Sequence, residues 1–244
     1  MSGITVRFCT KLDEFKRCCD LEARIWGFEV AELVPMPMLV VMSETGGQII
    51  GAFDGGEMIG FVAALAAQRA GRFYLHSHMA AVLPEYRDRG IGRRLKLEQR
   101  ADAIRRGIEL IEWTFDPLEI KNGFFNIERL GAICRRYLPD HYGRTSSPLH
   151  AGLPTDRLVA EWWVRAPRVE SIVAGSTITH GTSLDRILVP RAIDEWKRNN
   201  PAEAERLQTE VRERFLKLLT QGYAVTGFER SDAGGAYLLE RDAN

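Results

Sequence analysis

Residues 82–95 read VLPEYRDRGIGRRL, and this stretch decides how the rest of the chain is interpreted. An apolar strand end is followed by a turn and by the start of a helix at Gly90. The first amides of a helix have no intrahelical acceptor, and the helix N-terminus carries a partial positive charge. Because Gly90 and Gly92 have no side chains, a phosphate group could approach this backbone closely.

Four arginines crowd the same turn: Arg87, Arg89, Arg93 and Arg94. Against the single Asp88 they give residues 87–94 a local charge of four minus one, or +3. A cation at a helix N-terminus normally costs about 0.3–1 kcal/mol, so the cluster indicates a bound polyanion. The alternative is a glycine turn with solvated arginines. The chain has no P-loop motif, and Leu95 stands where a dinucleotide-binding motif needs its third glycine.

The composition is that of an ordinary globular protein. Of the 244 residues 45% are hydrophobic, and 33 basic residues balance 33 acidic ones, so the chain has no general attraction to nucleic acid or to an anionic membrane. No run approaches the roughly 20 apolar residues of a membrane span, and the N-terminus lacks a signal-peptide pattern. We therefore expect a cytoplasmic protein. Four cysteines without metal-binding spacing are expected to be reduced thiols: Cys9, Cys18, Cys19 and Cys134.

Apolar periodicity predicts the order of elements along the chain. Strands are predicted at residues 4–8, 48–53, 58–67, 73–83, 110–115, 132–137 and 158–164, and a hairpin at residues 223–229 and 236–239. Helices are predicted at residues 12–26, 90–106, 121–130 and 202–221. Residues 28–47 indicate a broken helix or a lid over a site, and residues 165–190 a connector with few periodic signals.

This order, together with Arg87-x-x-Gly90-x-Gly92, resembles the GNAT superfamily of acyl-CoA-dependent N-acyltransferases, whose pyrophosphate signature is [Q/R]-x-x-G-x-[G/A]. Four further stretches resemble a GNAT-related family of predicted acetyltransferases from bacteria and archaea: residues 76–79, 113–118, 130–132 and 152–157. The resemblance implies an α+β (α/β) fold, with a mixed, mostly antiparallel central sheet flanked by helices. We expect a catalytic domain over residues 1–165 and a small C-terminal α/β extension, with a connector, a helix and a hairpin, over residues 166–244.

The resemblance also implies a set of residues that bind acetyl-CoA or another acyl-CoA as co-substrate, with no metal. The pantetheine arm would pair with the strand residues Met79, Ala80, Ala81 and Val82. The pyrophosphate would lie on the amides of Arg89, Gly90, Ile91 and Gly92, with the side chains of Arg87, Arg93 and Arg94 nearby. Asn122 matches the family asparagine that contacts the cofactor arm; the alternative for Asn122 is a helix cap.

Candidate catalytic groups follow from the same resemblance. His76 stands where several superfamily members place a carboxylate base, and His78 shares its strand face. Histidine titrates near neutral pH, which suits a general base. The alternatives are two structural histidines, or a metal pair that lacks an evident third ligand. Arg129 stands in place of the family's tyrosine acid, so Tyr137 and Tyr142 are the substitute candidates; the alternative for both is a packed aromatic.

The predicted activity is transfer of an acetyl or other short acyl group from acyl-CoA to the amine of a small molecule, by direct attack in a ternary complex. The alternative is an acyl-CoA-binding sensor or partner protein without turnover. We expect no nucleic-acid or membrane partner. Substrate selection is assigned to residues 26–47, to the C-terminal extension and to the aromatic pair Trp162 and Trp163. The acids Glu29, Glu32 and Glu44 could attract an amine, and the extension could extend the sheet, cover the site or pair two subunits into a homodimer.

Overall fold

The computed structural model describes residues 3–177, 180 and 185–241. The chain divides into two compact units. Unit 1 comprises Met1–Glu112 and Ser146–Pro148, and unit 2 comprises Trp113–Thr145 and Leu149–Asn244. The division at residue 165, which was drawn from the extent of the family resemblance, stays a prediction.

Unit 1 is built on the strand order β1-β2-β3-β4-β5. Neighbouring strands are antiparallel except β4 and β5, which run parallel. This confirms the predicted mostly antiparallel sheet. The strands are β1 (Ile4–Phe8), β2 (Gln48–Asp54), β3 (Glu57–Arg69), β4 (Arg72–Val82) and β5 (Leu110–Phe115), of which β5 continues into unit 2.

The helices of unit 1 are α1 (Leu12–Trp26), α2 (Met36–Glu44) and α3 (Ile91–Arg105). Helix α1 ends as predicted at Gly27, whose φ of 63° is a left-handed conformation that glycine adopts without strain. Helix α2 buries Leu39 and Met42 in the core, so the segment predicted as a broken helix or a lid holds a packed helix.

Unit 2 has the strand order β7-β6-β9-β10-β8, with antiparallel pairing. These strands are β6 (Ile133–Leu138), β7 (Arg157–Trp163), β8 (Asp185–Pro190), β9 (Tyr223–Ser231) and β10 (Gly234–Arg241). Its helices are α4 (Ile120–Phe124), α5 (Pro167–Val173), α6 (Ile193–Asn199) and α7 (Pro201–Thr220). A π-helical turn, Phe125–Arg129, continues α4, so the helix predicted at residues 121–130 is divided in two.

The connector predicted at residues 165–190 is wrong, because this segment contains α5 and β8. Strand β8 pairs with β10 and buries Ile187 and Val189. Two alternating apolar residues are too short a signal to distinguish an edge strand from a loop. Residues 178, 179 and 181–184 of the same prediction lie outside the described residues. Within the described ranges, no helix combines the length and the apolar character needed to cross a bilayer.

Candidate functional site

The turn that leads into α3 presents a row of backbone donors. Gly90 caps the helix with a φ of 76°, and the first helical bond runs from the amide of Arg94 to the carbonyl of Gly90, at 3.0 Å. Among the described residues, no protein acceptor lies within hydrogen-bond distance of the amides of residues 89–92. A Cβ placed on Gly90 would meet no atom within 4 Å, so the space in front of the turn is open. An anion can therefore be held there by main-chain N–H groups.

The arginines of this turn are anchored in three different ways. The Arg87 side chain donates to the carbonyl of Val82 at 3.2 Å and braces the end of β4. The Arg89 guanidinium lies 5.1 Å from the centre of the Tyr86 ring. Arg94 donates to the first carbonyl of β1 at 2.7 Å and ties α3 to that strand. Arg87, Arg89 and Arg94 are all exposed, so their positive field remains available to a ligand.

Strand β4 changes its pairing in the middle. Its register with β5 covers Leu75 and His76, opposite Ile111 and Glu112. On its other side, Ala63 pairs with Met79 while the adjacent Ala64 pairs with Ser77, which makes His78 the extra residue of a β-bulge. The four residues predicted to pair with pantetheine, 79–82, follow directly after this point. Beyond the β4–β5 register, the backbone edge of β4 can pair with the amides of a bound arm.

His76 and His78 lie together on one face of β4, as predicted. Their ring centres are 6.2 Å apart and the rings are tilted by 36°. His76 is half-buried and His78 is exposed. Partial burial of its ring lowers the pKa of His78, although the residue as a whole keeps more than a third of its surface exposed. A lowered pKa leaves the His78 imidazole neutral and able to accept a proton at neutral pH.

Glu112 is a residue of this face that the sequence analysis missed. Glu112 is only 2% exposed, and its two carboxylate oxygens accept hydrogen bonds from the two terminal nitrogens of the Arg69 guanidinium, one at 3.0 Å, in a bidentate ion pair. The signal was a carboxylate inside the apolar run of residues 110–115. A buried strand rarely carries a charge without a partner, so Glu112 marks a polar place in an otherwise apolar sheet.

A second missed group, Lys96, lies behind β4 in the core of unit 1. Its Nζ donates to Ser77 Oγ at 3.0 Å and to Gln99 Oε1 at 2.9 Å. Ser77 in turn donates to Gln99 Oε1 at 3.1 Å. Burial holds the pKa of Lys96 well below its ordinary value. In the sequence, Lys96 directly follows the apolar Leu95 of the predicted helix, and this neighbour was the available indication that position 96 is buried.

In unit 2, Asn122 is the third residue of α4 and is exposed. The N-cap of that helix is Glu119, so the alternative assignment of Asn122 as a helix cap is wrong. Arg129 ends the π-helical turn and is also exposed. The assignment of Asn122 to the cofactor arm stays a prediction.

The two candidate tyrosines have different surroundings. Tyr137 is buried, and its hydroxyl donates to Asp156 at 2.6 Å. Arg212 donates to both oxygens of the same carboxylate at 2.8 Å. Burial, reinforced by the bond to Asp156, raises the pKa of Tyr137. Tyr142 is 45% exposed, and its hydroxyl lies 2.9 Å from Thr114 Oγ1 on β5. Only Tyr142 of the pair keeps its hydroxyl near solvent.

Two other expectations concern the predicted substrate-selecting residues. Trp162 is fully buried and donates to the carbonyl of Leu130 at 2.7 Å, so its assignment to substrate selection is wrong and it is a core residue. Glu32 accepts the amide of Ser146 at 2.9 Å, which commits its carboxylate to a protein loop. The four cysteines are free thiols, as expected, and Cys134 is buried. Among the described residues, no group of three potential metal ligands is found.

A family model and several solved structures match parts of this chain. Residues 15–131 match the model of the acetyltransferase (GNAT) family. No curated protein sequence matches the chain at a significant level. Among solved structures, YncA from Salmonella typhimurium, a proposed acetyltransferase determined with acetyl-CoA, is 15% identical, with a TM-score of 0.55 over 67% of this chain and 95% of that one.

Two further structures have the same fold. A proposed GNAT acetyltransferase from Desulfovibrio desulfuricans is 16% identical, with a TM-score of 0.53 over 66% of this chain and 99% of that one. An aminoglycoside 6'-acetyltransferase of type Ii is 18% identical, with a TM-score of 0.52 over 66% of this chain and 97% of that one. At these identities the likeness extends to the fold alone. Over residues 15–131, just under half of its length, the chain therefore matches the acetyltransferase (GNAT) family.

Proposed function

We propose that this protein transfers an acetyl or other short acyl group from acyl-CoA to the amine of a small molecule. The observation that carries the proposal is the row of amides at residues 89–92, which have no protein acceptor among the described residues. The surrounding residues 87–94 have a local charge of +3. The open space in front of Gly90 fits a diphosphate approaching the backbone. The solved structures with this fold include the NatC complex, determined with a Gag peptide and CoA, as well as an aminoglycoside 6'-acetyltransferase, so the small-molecule acceptor is part of the proposal.

His76 is proposed as the base. An alkylamine has a pKa of about 10.4 and is mostly protonated at neutral pH, so it must lose a proton before its lone pair can attack. His76 takes that proton, and the nitrogen forms a bond to the thioester carbonyl carbon while the carbon–sulfur bond breaks. A second proton leaves the nitrogen for water as the neutral amide forms. The half-buried position of His76, beside the end of the β4–β5 register, supports this role. Holding the two reactants together supplies the larger part of the rate, at best about 7–11 kcal/mol.

Tyr142 is proposed as the acid that returns a proton to the departing thiolate sulfur. Its exposed hydroxyl, next to Thr114 of β5, supports this choice over the buried Tyr137. The identity of the acid matters because Arg129 occupies the position where the resemblance places the usual tyrosine.

The second candidate function is an acyl-CoA-binding protein without turnover, which Arg129 favours. One experiment separates the two. Acetyl-CoA binding is measured by calorimetry, and release of free thiol is then followed over a panel of primary amines. Binding with thiol release from at least one amine supports the transferase. Binding without release from any amine supports the sensor, and absence of binding overturns both. A cytoplasmic location and a homodimer stay predictions.

A further inference from the structure

We propose that Arg157, in unit 2, is a binding site for the carboxylate group of a small organic anion. The inference goes beyond the proposed function, because it names a ligand class that unit 2 would bind by itself: a monocarboxylate that also carries an apolar group.

The first observation is that the partners of Arg157 are neutral. Its guanidinium donates to the main-chain carbonyl of Asp156 at 3.0 Å and to Nε2 of His150 at 2.8 Å. It also lies 5.4 Å from the centre of the Tyr142 ring. An arginine can only donate, so His150 Nε2 accepts and its proton is on Nδ1, which donates to Thr145 Oγ1 at 2.6 Å. A carbonyl, a neutral imidazole and an aromatic face bring no negative charge to the cation.

The second observation is that Arg157 is buried and its charge is not compensated. Only 8% of the residue is exposed, and among the described residues no carboxylate oxygen lies within 4 Å of its guanidinium. Arginine remains protonated in proteins, so it cannot avoid the cost of burial by losing its charge. Buried charges are normally paired, since an unpaired one loses its hydration without recovering it from a counter-ion.

Arg212 provides an internal contrast in the same unit. It is more exposed than Arg157, yet it makes a bidentate ion pair with Asp156, with both contacts at 2.8 Å. The carboxylate of the residue next to Arg157 is therefore used by another arginine. The more exposed Arg212 therefore has a carboxylate counter-ion, whereas the buried Arg157 has none among the described residues. This difference is expected if an external anion completes the Arg157 site.

Tyr142 connects this cation to the surface. The residue is 45% exposed while its ring faces the buried guanidinium. Only two N–H groups of Arg157 are donated to described residues, so others remain for a ligand. The guanidinium fork matches the two oxygens of a carboxylate, and an aromatic ring beside it can pack on the apolar part of the same ligand. A single cation suits a monoanion better than a phosphate dianion.

The test uses a carboxylate and the matching uncharged amide. Binding of phenylacetate and of phenylacetamide is measured by calorimetry for the wild type, for Arg157→Gln and for Arg144→Gln, which removes an exposed arginine from the loop before β7. We expect the wild type to favour the carboxylate by about tenfold in Kd, and Arg157→Gln to lose this preference. Arg144→Gln should behave as the wild type. Equal Kd values for the two ligands in the wild type overturn the proposal.

A second measurement does not depend on the folding of a variant. Binding of phenylacetate, phenylacetamide and inorganic phosphate to the wild-type protein is measured by calorimetry, with acetyl-CoA binding measured on the same sample. We expect phenylacetate to bind at least tenfold more tightly than the amide and than phosphate. Equal binding of phenylacetate and its amide overturns the carboxylate site even when acetyl-CoA binds, and tighter phosphate binding assigns Arg157 to a different anion. Failure of acetyl-CoA to bind would instead overturn the proposed function.

Discussion

His76 on β4 lies directly opposite Glu112 on β5 in the parallel register of unit 1. Neighbouring strands are about 4.8 Å apart, and paired residues project their side chains to the same face. The proposed base therefore stands beside a carboxylate that Arg69 holds in an ion pair. The histidine has a fixed polar neighbour on its own face rather than the apolar surface of the core.

Replacement of His76 by alanine should lower the acyl-transfer rate at neutral pH by about a hundredfold or more, because the attacking amine loses its proton acceptor. Acetyl-CoA affinity, measured by calorimetry, should change little. His78→Ala is the matched control on the same strand face. A pH–rate profile of His76→Ala that superimposes on that of the wild type would remove His76 from the mechanism.

The double substitution Arg87→Ala with Gly90→Ala should weaken acetyl-CoA binding at least tenfold, an effect of about 1.4 kcal/mol. The alanine at position 90 would be strained at a φ of 76°, and the alanine at position 87 removes a cation from the turn. Arg17→Ala, which removes an exposed arginine from α1, should leave the affinity unchanged. An unaltered Kd for the double variant would contradict the assignment of the turn to the diphosphate.

The two tyrosines should respond differently to loss of their hydroxyls. Tyr142→Phe should lower kcat while leaving thermal stability unchanged, because its hydroxyl is exposed. Tyr137→Phe should destabilise the protein by about 1.5–3 kcal/mol, because Asp156 loses a buried donor, and should leave kcat unchanged. Steady-state kinetics and denaturant unfolding are measured for both variants and for the wild type. A normal kcat for Tyr142→Phe would refute its role as the acid.

Glu22 should make stability fall as the pH rises through the neutral range. Burial raises the pKa of this carboxyl from 4.5 to about 7, while its oxygens accept the amide of Val34 at 3.2 Å. Between these two pKa values the folded state binds more protons than the unfolded state, so the free energy of unfolding decreases from pH 4.5 to pH 7 and then levels off.

The size of this Glu22 effect should be about 2 kcal/mol, after allowing for partial screening of the charge. Urea unfolding between pH 5 and pH 8 measures it. Glu22→Gln should flatten the slope in this range, since glutamine does not ionise. A wild-type protein whose stability increases from pH 5 to pH 7 would show that another group dominates.

Lys197 should be important for the stability of unit 2. The residue is 8% exposed, and its Nζ donates to Asp116 at 3.2 Å and to Glu119 at 2.9 Å. Lys197→Met leaves two carboxylates without their cation and should cost about 3 kcal/mol. Arg206→Ala, which breaks an exposed pair with Glu203, should cost less than about 1 kcal/mol. Equal losses in urea unfolding for both variants would contradict this assignment.

Most of the fold could be predicted from local patterns. The strand at residues 4–8, the helix at residues 12–26 and the C-terminal hairpin have strong periodicity and clear stop signals, and all three are present. Strand β8 could not be predicted, because its pairing with β10 is a contact with a distant part of the chain and its own pattern is short. The π-helical turn after α4 was missed for the same reason, since Arg168 of α5 donates to the carbonyl of Ile127 within the turn and to that of Gly131 after it.

The sequence alone determined the turn that begins α3. Arg87, Gly90 and Gly92 are neighbours in the chain, and the left-handed conformation at Gly90 and the unpaired helical amides follow from local sterics. Only the tertiary structure decided that His76 stands opposite Glu112, that Asp156 holds Tyr137, and that Arg157 has no counter-ion among the described residues. Those relationships depend on strand register and on side chains brought together from remote positions, which local periodicity does not encode.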